Sequence, residues 1–114
     1  MPFPPDWSTE LPAAITVCDT AGIILSMNDR ACKSFEEEGG AKLIGTNVLD
    51  CHPPNARAIL EELLREGKEN IYTIEKNGQK KMIFQSPWYA GGKYAGMVEI
   101  TMVLPENVPH FVRK

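Results

Sequence analysis

Hydrophobic positions along this chain alternate between a strand-like and a helix-like spacing, with turn motifs between them. Ala14–Asp19 and residues 23–27 are rich in β-branched and aliphatic residues and flank Thr20-Ala21-Gly22, a pattern that predicts a tight β-hairpin. The polar residues 28–29 then predict the cap of a helix that buries Ala31 and Phe35 and ends at Gly39-Gly40.

The longest helical pattern follows the motif Asp50-Cys51-His52-Pro53-Pro54. Proline is favoured at the first position of a helix, so this helix is predicted to begin near residue 53 or 54 and to end at Gly67. Its apolar residues keep the spacing of one buried stripe: Ala56, Ile59, Leu60, Leu63 and Leu64. The pattern therefore predicts a core helix that holds Cys51 and His52 at its start.

The last third of the chain predicts three strands joined by two tight turns. Residues 70–76 and 79–89 flank Asn77-Gly78, a strong hairpin signal because both turn residues accept positive φ. Gly91-Gly92 then leads into a long apolar strand over residues 94–104. With the first hairpin, this order predicts an α+β fold in which helices cover one face of an antiparallel sheet.

Both ends of the chain are predicted to lie outside the compact domain, which spans residues 11–104. Residues 1–10 form an N-terminal cap or tail in which Asp6 or Ser8 could cap a short helix, with Trp7 and Leu11 on one face. This segment either frays or packs on the sheet or on a second subunit. Residues 105–114 are predicted to be a C-terminal tail.

Composition narrows the class of protein. The 114 residues fit one domain, and the net charge of -3 argues against a nucleic-acid partner. No apolar run has the length of a membrane span, and the N-terminus lacks the features of a signal peptide. The odd number of cysteines, without CxxC spacing, is typical of a reducing compartment, so we expect a cytoplasmic protein.

His52 is the central candidate for chemistry, and three roles are open to it. It could hydrogen-bond the loop before the two prolines, serve as a polar group in a pocket, or ligate a haem iron. Its neighbour Cys51 is either an inert buried thiol or a redox-active one, since a helix N-terminus lowers a thiol pKa. A shared zinc site is not predicted, because the cysteines lack ligand spacing.

Glu99 interrupts the otherwise apolar last strand. If its face of the strand lines a pocket, the carboxylate needs a donor such as His52 or a ligand amine, and if it faces outward it is a surface acid. The residue types give no catalytic triad, phosphate loop or paired carboxylates, so the chain is not predicted to be an enzyme.

Several motifs together resemble the PAS family. The segment LPAAITVCDTAGIILSMNDRACKSF resembles the opening of a PAS domain, and IGTNVLDCHPP, the long helix, the hairpin and Gly92 to Gly96 follow in the family's order. DCHPPNAR, with GMVEIT downstream, is most similar to the PAS subgroup found beside hemerythrin-like domains. The resemblance covers about residues 11–104.

The resemblance implies a five-stranded antiparallel sheet of order 2-1-5-4-3 around a small pocket, and a homodimer. The pocket residues we predict are His52, Cys51, Phe35, Met82, Phe84 and Glu99. The predicted dimer surface consists of Trp7, Leu11 and Tyr89. The flavin-adduct motif G-x-N-C-R-F is missing, because Val48 follows Asn47 where that motif has cysteine, so a flavin photocycle is not expected.

Many PAS domains end their last strand with Asp-Ile-Thr and lead into a signalling helix. Here Val103-Leu104-Pro105 stands in that place. We therefore expect a sensory or regulatory domain that binds a small molecule and signals through dimer or partner contacts, whether free-standing or part of a longer chain. The alternatives are a ligand-free interaction module and a haem sensor that uses His52.

Overall fold

The computed structural model describes residues 6–114, apart from the side chain of Cys51, so the first half of the predicted N-terminal cap lies outside it. The strands and helices are β1 (Ala14–Asp19), β2 (Ile24–Met27), α1 (Asp29–Ser34), α2 (Pro54–Glu66), β3 (Asn70–Lys76), β4 (Gln79–Ala90) and β5 (Lys93–Val103). All strand pairs are antiparallel and the sheet order is β2-β1-β5-β4-β3, which confirms the predicted topology.

All three predicted hairpins form, and the turn residues of two of them explain why. The Asp19 carboxylate accepts hydrogen bonds from the backbone N–H groups of Ala21 (3.0 Å) and Ile23 (2.9 Å), which closes the first turn. In the β3–β4 turn, Asn77 and Gly78 have φ of 53° and 78°, the positive values that this two-residue turn requires.

Helix α1 is shorter than the sequence predicted. It ends at Ser34, and the three glutamates after it form a separate 3₁₀ turn, Glu36–Glu38. Acidic side chains are unfavourable at a helix C-terminus because the helix dipole is negative there. Helix α1 packs against the domain through Ala31, near its middle, which is fully buried.

Helix α2 begins and ends as predicted. Pro54 is its first residue, and Gly67 closes it in the left-handed conformation at φ 63°. The stripe is only partly buried, because Leu60, Leu63 and Leu64 join the core whereas Ile59 is 55% exposed. Ile59 faces a groove beside β3, so its predicted burial is wrong.

The register of the strands assigns the two faces of the sheet. Gln85 lies opposite Glu99 and Phe84 lies opposite Ile100, and residues opposite one another in neighbouring strands share a face. Gln85 and Glu99 lie on the inner face, which α2 covers, so Phe84 lies on the outer face. Helices therefore cover the inner face of a single sheet, as predicted.

Residues 6–10, the described part of the N-terminal segment, lie along the outer face and are not helical. They form turns in which the Asp6 carboxylate accepts from the backbone N–H (2.9 Å) and the hydroxyl (2.6 Å) of Ser8. Asn28 fastens this segment to the domain, because its side-chain amide donates to the carbonyls of Ser8 and Ala13, each at 2.8 Å. Among residues 6–114, no helix has the length and apolarity that a membrane span needs.

Candidate functional site

A row of polar residues crosses the inner face of the sheet. Strand register places Met27, Thr16, Glu99, Gln85 and Asn70 side by side, one from each strand in the order β2, β1, β5, β4 and β3. Four of the five are polar, although this face is otherwise the apolar side of the sheet. Polar groups on a buried face are costly unless they are hydrogen-bonded, so their partners decide what this row can do.

Hydrogen bonds connect three members of the row in series. The Asn70 amide donates to the Gln85 oxygen Oε1 (2.9 Å), and the Gln85 amide donates to Glu99 Oε2 (2.8 Å). Gln85 is only 7% exposed, so this pairing orients its amide. Within the described residues, Glu99 Oε1 and the Thr16 hydroxyl have no side-chain or backbone hydrogen-bond partner.

A hollow of about 70 Å³ lies over the central part of this row. That volume holds a few water molecules or a small organic group. Its polar lining consists of Thr16, His52, Gln85 and Glu99. Its apolar lining includes Cys18, Ile24, Phe35, Val48, Leu60 and Met97. A small volume that is mostly apolar and carries a few convergent polar groups has the composition of a small-molecule site.

The hollow adjoins a wider groove between α2 and the β3 side of the sheet. The groove has a volume of about 550 Å³ and is lined by Ile59, Asn70 and Tyr72 together with residues of the hollow. His52, Leu60, Gln85 and Glu99 border both spaces. The groove is therefore a route from solvent to the polar row.

The corner that precedes α2 positions His52. Asn47 caps the 3₁₀ turn Val48–Cys51 by accepting from the Leu49 N–H (2.9 Å), and its amide donates to the Ala21 carbonyl (3.1 Å). His52 Nδ1 lies 2.8 Å from the Val48 carbonyl oxygen. Because a carbonyl oxygen only accepts, Nδ1 carries the proton, and in the neutral ring Nε2 is left as an acceptor.

Two ionisable groups beside the row favour their neutral forms. Burial raises the pKa of the Cys18 thiol above its ordinary value, and the nearby carboxylates of Asp19 and Glu99 raise it further. Burial likewise raises the pKa of Tyr72, with a smaller contribution from the Glu99 carboxylate. Cys18 therefore contributes an uncharged, weakly polar surface to the hollow.

The structure brings together three of the predicted pocket residues. His52, Phe35 and Glu99 line the hollow, and the side chain of Cys51 lies outside the described structure. Met82 and Phe84 do not line it, contrary to the prediction, because they lie opposite Met102 and Ile100 on the outer face. Glu99 faces inward, so the surface alternative for this residue is wrong.

Sequence reasoning missed Thr16, Gln85 and Asn70. Each is an ordinary polar residue within a strand, and nothing in its local pattern shows that it lies beside the others. One signal was available: Gln85 is two residues from Ile83 and therefore on the same face of β4, and Ile83 is buried. Had that phase been taken as the inner one, Gln85 would have been a candidate.

The predicted dimer residues do not form one surface. Trp7 lines a cleft with Ile15 and Val98 on the outer face. Tyr89 lies opposite Tyr94, whose hydroxyl donates to the Leu64 carbonyl of α2, so Tyr89 is on the helix-bearing side. Leu11 lies beside α1. Trp7 and Tyr89 therefore lie on opposite sides of the sheet, and the grouping of the three residues is wrong.

Comparison with solved structures identifies the architecture. A C-terminal domain from Streptococcus mutans aligns with a TM-score of 0.68 at 22% identity, covering 90% of each chain. The PAS domain of BvgS from Bordetella pertussis aligns at 0.63 and 18% identity, over 87% of this chain and 82% of that one. The Aer2 receptor from Vibrio cholerae, described as a dual PAS-heme oxygen sensor, aligns at 0.58 and 16%, over 82% and 95%.

The sequence matches no protein-family model and no curated protein. Similarity at these identities concerns the backbone, and here it extends over most of the chain. The strand order, the helices on one face and the named PAS domains among the matches agree with one another. This chain therefore has the PAS fold, with a hollow between α2 and a polar row on its sheet.

Proposed function

We propose that this chain is a sensory or regulatory domain, without catalytic activity, that binds a small molecule in the hollow beneath α2. The observation that carries the proposal is the row of Thr16, Glu99 and Gln85 beneath an apolar hollow that His52 borders. These polar groups offer a ligand fixed hydrogen-bond partners in a space that is otherwise apolar, which is how small-molecule sites obtain specificity.

The signal would pass through the packing of α2. Leu60, Leu63 and Leu64 bind α2 to Cys18 and Met97 on the sheet, whereas the β3 side of the helix borders the groove. A ligand that enters from the groove contacts both the helix and the polar row. It favours whichever position of α2 accommodates it, and so shifts the population of conformations that a second copy or a partner recognises.

Native mass spectrometry of freshly purified protein tests this function, because it reports a retained small molecule and the oligomeric state together. We expect a bound mass that denaturation releases, or binding from a small-molecule panel that raises the melting temperature. Thr16→Ile should abolish that binding, because its larger side chain fills the hollow from β1. Val17→Ile is the matched control, since Val17 lies on the outer face of the same strand.

If Thr16→Ile folds and retains binding, the hollow is not the site. If neither the natural protein nor Val17→Ile binds any molecule, the chain is a ligand-free interaction module. Circular dichroism of both variants separates loss of binding from loss of fold, because added volume in a packed interior destabilises many proteins.

Haem does not fit the residues around the hollow. His52 offers one imidazole nitrogen, but the hollow of about 70 Å³ is small for a macrocycle. In the described part of the chain, neither the hollow nor the groove is lined by a lysine or arginine that would pair with two propionates. We therefore do not propose haem as the cofactor, and expect no Soret absorbance after reconstitution.

The finer family assignment and the location of the protein are part of the same proposal. DCHPPNAR supports membership of the PAS subgroup found beside hemerythrin-like domains. We infer a cytoplasmic setting from the odd number of cysteines and from the free thiols of Cys18 and Cys32. Neither inference depends on the identity of the ligand.

A further inference from the structure

We propose, on the basis of the function proposed above, that the hollow takes a small apolar molecule carrying a positively charged amine. The amine would be held by Glu99, at the centre of the polar row. Three features of the described residues support this ligand: the charge of the lining, the free hydrogen-bonding positions, and the apolar surface around them.

Among the residues that the structure describes, the lining of the hollow and groove carries one formal negative charge and no lysine or arginine. That charge is the carboxylate of Glu99, which borders both spaces. Arg57, at the start of α2, is directed elsewhere, because its Nε lies 3.0 Å from Glu61 Oε1 and its Nη1 lies 3.9 Å from Asp50. The Glu99 carboxylate would repel an anionic ligand, whereas a cationic one would gain a partner.

The free positions around the hollow are mainly acceptors. Glu99 Oε2 is bonded to the Gln85 amide, while Glu99 Oε1 has no partner among the described residues. His52 uses its Nδ1–H on the Val48 carbonyl, which leaves Nε2 to accept in the neutral ring. An ammonium group has three donors and no acceptor, so it complements both positions.

The remaining surface selects the body of the ligand. Apart from the polar row and His52, the hollow is lined by aliphatic, aromatic and sulfur-containing side chains such as Phe35, Leu60 and Met97. Thioether and aromatic groups adapt to an aromatic or aliphatic ring. The hollow has about 70 Å³ and the adjoining groove about 550 Å³, so together they have room for one ring with a short amine-bearing arm.

Three probes of nearly the same shape test the charge preference directly: benzylamine, benzyl alcohol and benzoate. Binding is measured by calorimetry and by NMR shifts at about pH 8, where benzylamine is protonated. We expect benzylamine to bind best and benzoate not to bind. Glu99→Gln should weaken benzylamine binding by about tenfold or more, because it removes a charge-assisted hydrogen bond, and should weaken benzyl alcohol binding far less.

Glu106→Gln is the matched control, because it removes the same charge from an exposed position outside the hollow. It should not alter benzylamine binding, which separates a specific contact from attraction to the net negative protein. If benzoate or benzyl alcohol binds and benzylamine does not, the amine proposal is overturned while the ligand-binding function stands. If none of the three binds and the panel described above also gives no ligand, both proposals fail.

Discussion

Cys18 shows how the environment of one residue affects stability at high pH. Its folded-state thiol pKa is raised by burial, so between the unfolded and folded values the native state holds a proton that the unfolded state has lost. The protonated thiol therefore favours the native state fully below the unfolded pKa, and this contribution is lost as the pH rises through the folded pKa.

We predict that Cys18→Ala reduces the loss of unfolding free energy at alkaline pH. Urea denaturation at several values between about pH 8 and 10.5 measures the slope, which should be shallower in the variant than in the natural protein. Cys32→Ala is the control, since Cys32 is less buried. Equal slopes for all three proteins would contradict the prediction.

Asn28 stabilises the fold through four hydrogen bonds of its side chain and has no part in the candidate site. Its Oδ1 accepts from the backbone N–H groups of Ile15 (2.9 Å) and Ala31 (3.0 Å), and its amide donates to two carbonyls of the preceding chain. It is 7% exposed, so removing the side chain leaves buried polar groups without partners.

We predict that Asn28→Ala lowers the unfolding free energy by about 2–4 kcal/mol, because it leaves several buried groups unsatisfied and removes the cap of α1. Thermal and urea denaturation measure the loss. Asn28→Asp keeps the acceptor but turns a carboxylate oxygen toward the Ser8 and Ala13 carbonyls, which lose their donor, so it should be clearly less stable than the natural protein. An Asp variant as stable as the natural protein would contradict the importance of the two donated bonds.

At the level of elements, the hairpins and the limits of α2 could be predicted because their signals are local. Asn77-Gly78 specifies its turn through two positive φ angles, and Pro54 and Gly67 limit the helix by their own backbone preferences. The face of β4 that points inward could not be predicted in this way. Strand alternation defines two faces, and only the packing of α2 decides which one is covered.

That one choice of face accounts for two wrong predictions. Taking Met82 and Phe84 as inward placed Tyr89 outward, whereas the structure has the reverse arrangement for all three. The polar row could not be predicted from the sequence for a related reason. Thr16 and Asn70 are far apart in sequence, and they join one row only after four strands have paired in a specific register.

Tyr94 joins β5 to the C-terminal end of α2. Its hydroxyl donates to the Leu64 carbonyl at 2.7 Å, which satisfies one of the carbonyls that a helix end leaves without an internal partner. We predict that Tyr94→Phe lowers the unfolding free energy by about 1 kcal/mol, because it removes that bond while keeping the ring. Tyr89→Phe is the control, since Tyr89 is 60% exposed, and equal losses in both would contradict this role.

At the level of the whole molecule, the outer face of the sheet retains exposed apolar residues. Ile71 is 53% exposed, Met102 is 40% exposed, and Trp7 at one side of this face is 74% exposed. Large apolar residues grouped on one exposed face are typical of a surface for association. Trp7 therefore stays a predicted dimer residue, although Tyr89 does not share its surface.

We predict that the protein forms a homodimer and that Trp7→Ala weakens it by about tenfold or more, as loss of an aromatic interface residue commonly does. Sedimentation velocity over a range of concentrations measures the dissociation constant. Tyr89→Ala should leave association unchanged, because Tyr89 lies on the helix-bearing side. A stronger effect from Tyr89→Ala than from Trp7→Ala would place the interface on that side instead.

The bond from Tyr94 to Leu64 also bears on how far a small movement at the hollow would travel. Helix α2 has 13 residues and is therefore about 20 Å long. Because the C-terminal end of α2 is hydrogen-bonded to β5, a molecule that binds under the middle of the helix would tilt it about that end. The other end, beside His52 and the two prolines, would then move furthest, and a reporter group placed there would detect a displacement too small to detect at the Tyr94 end.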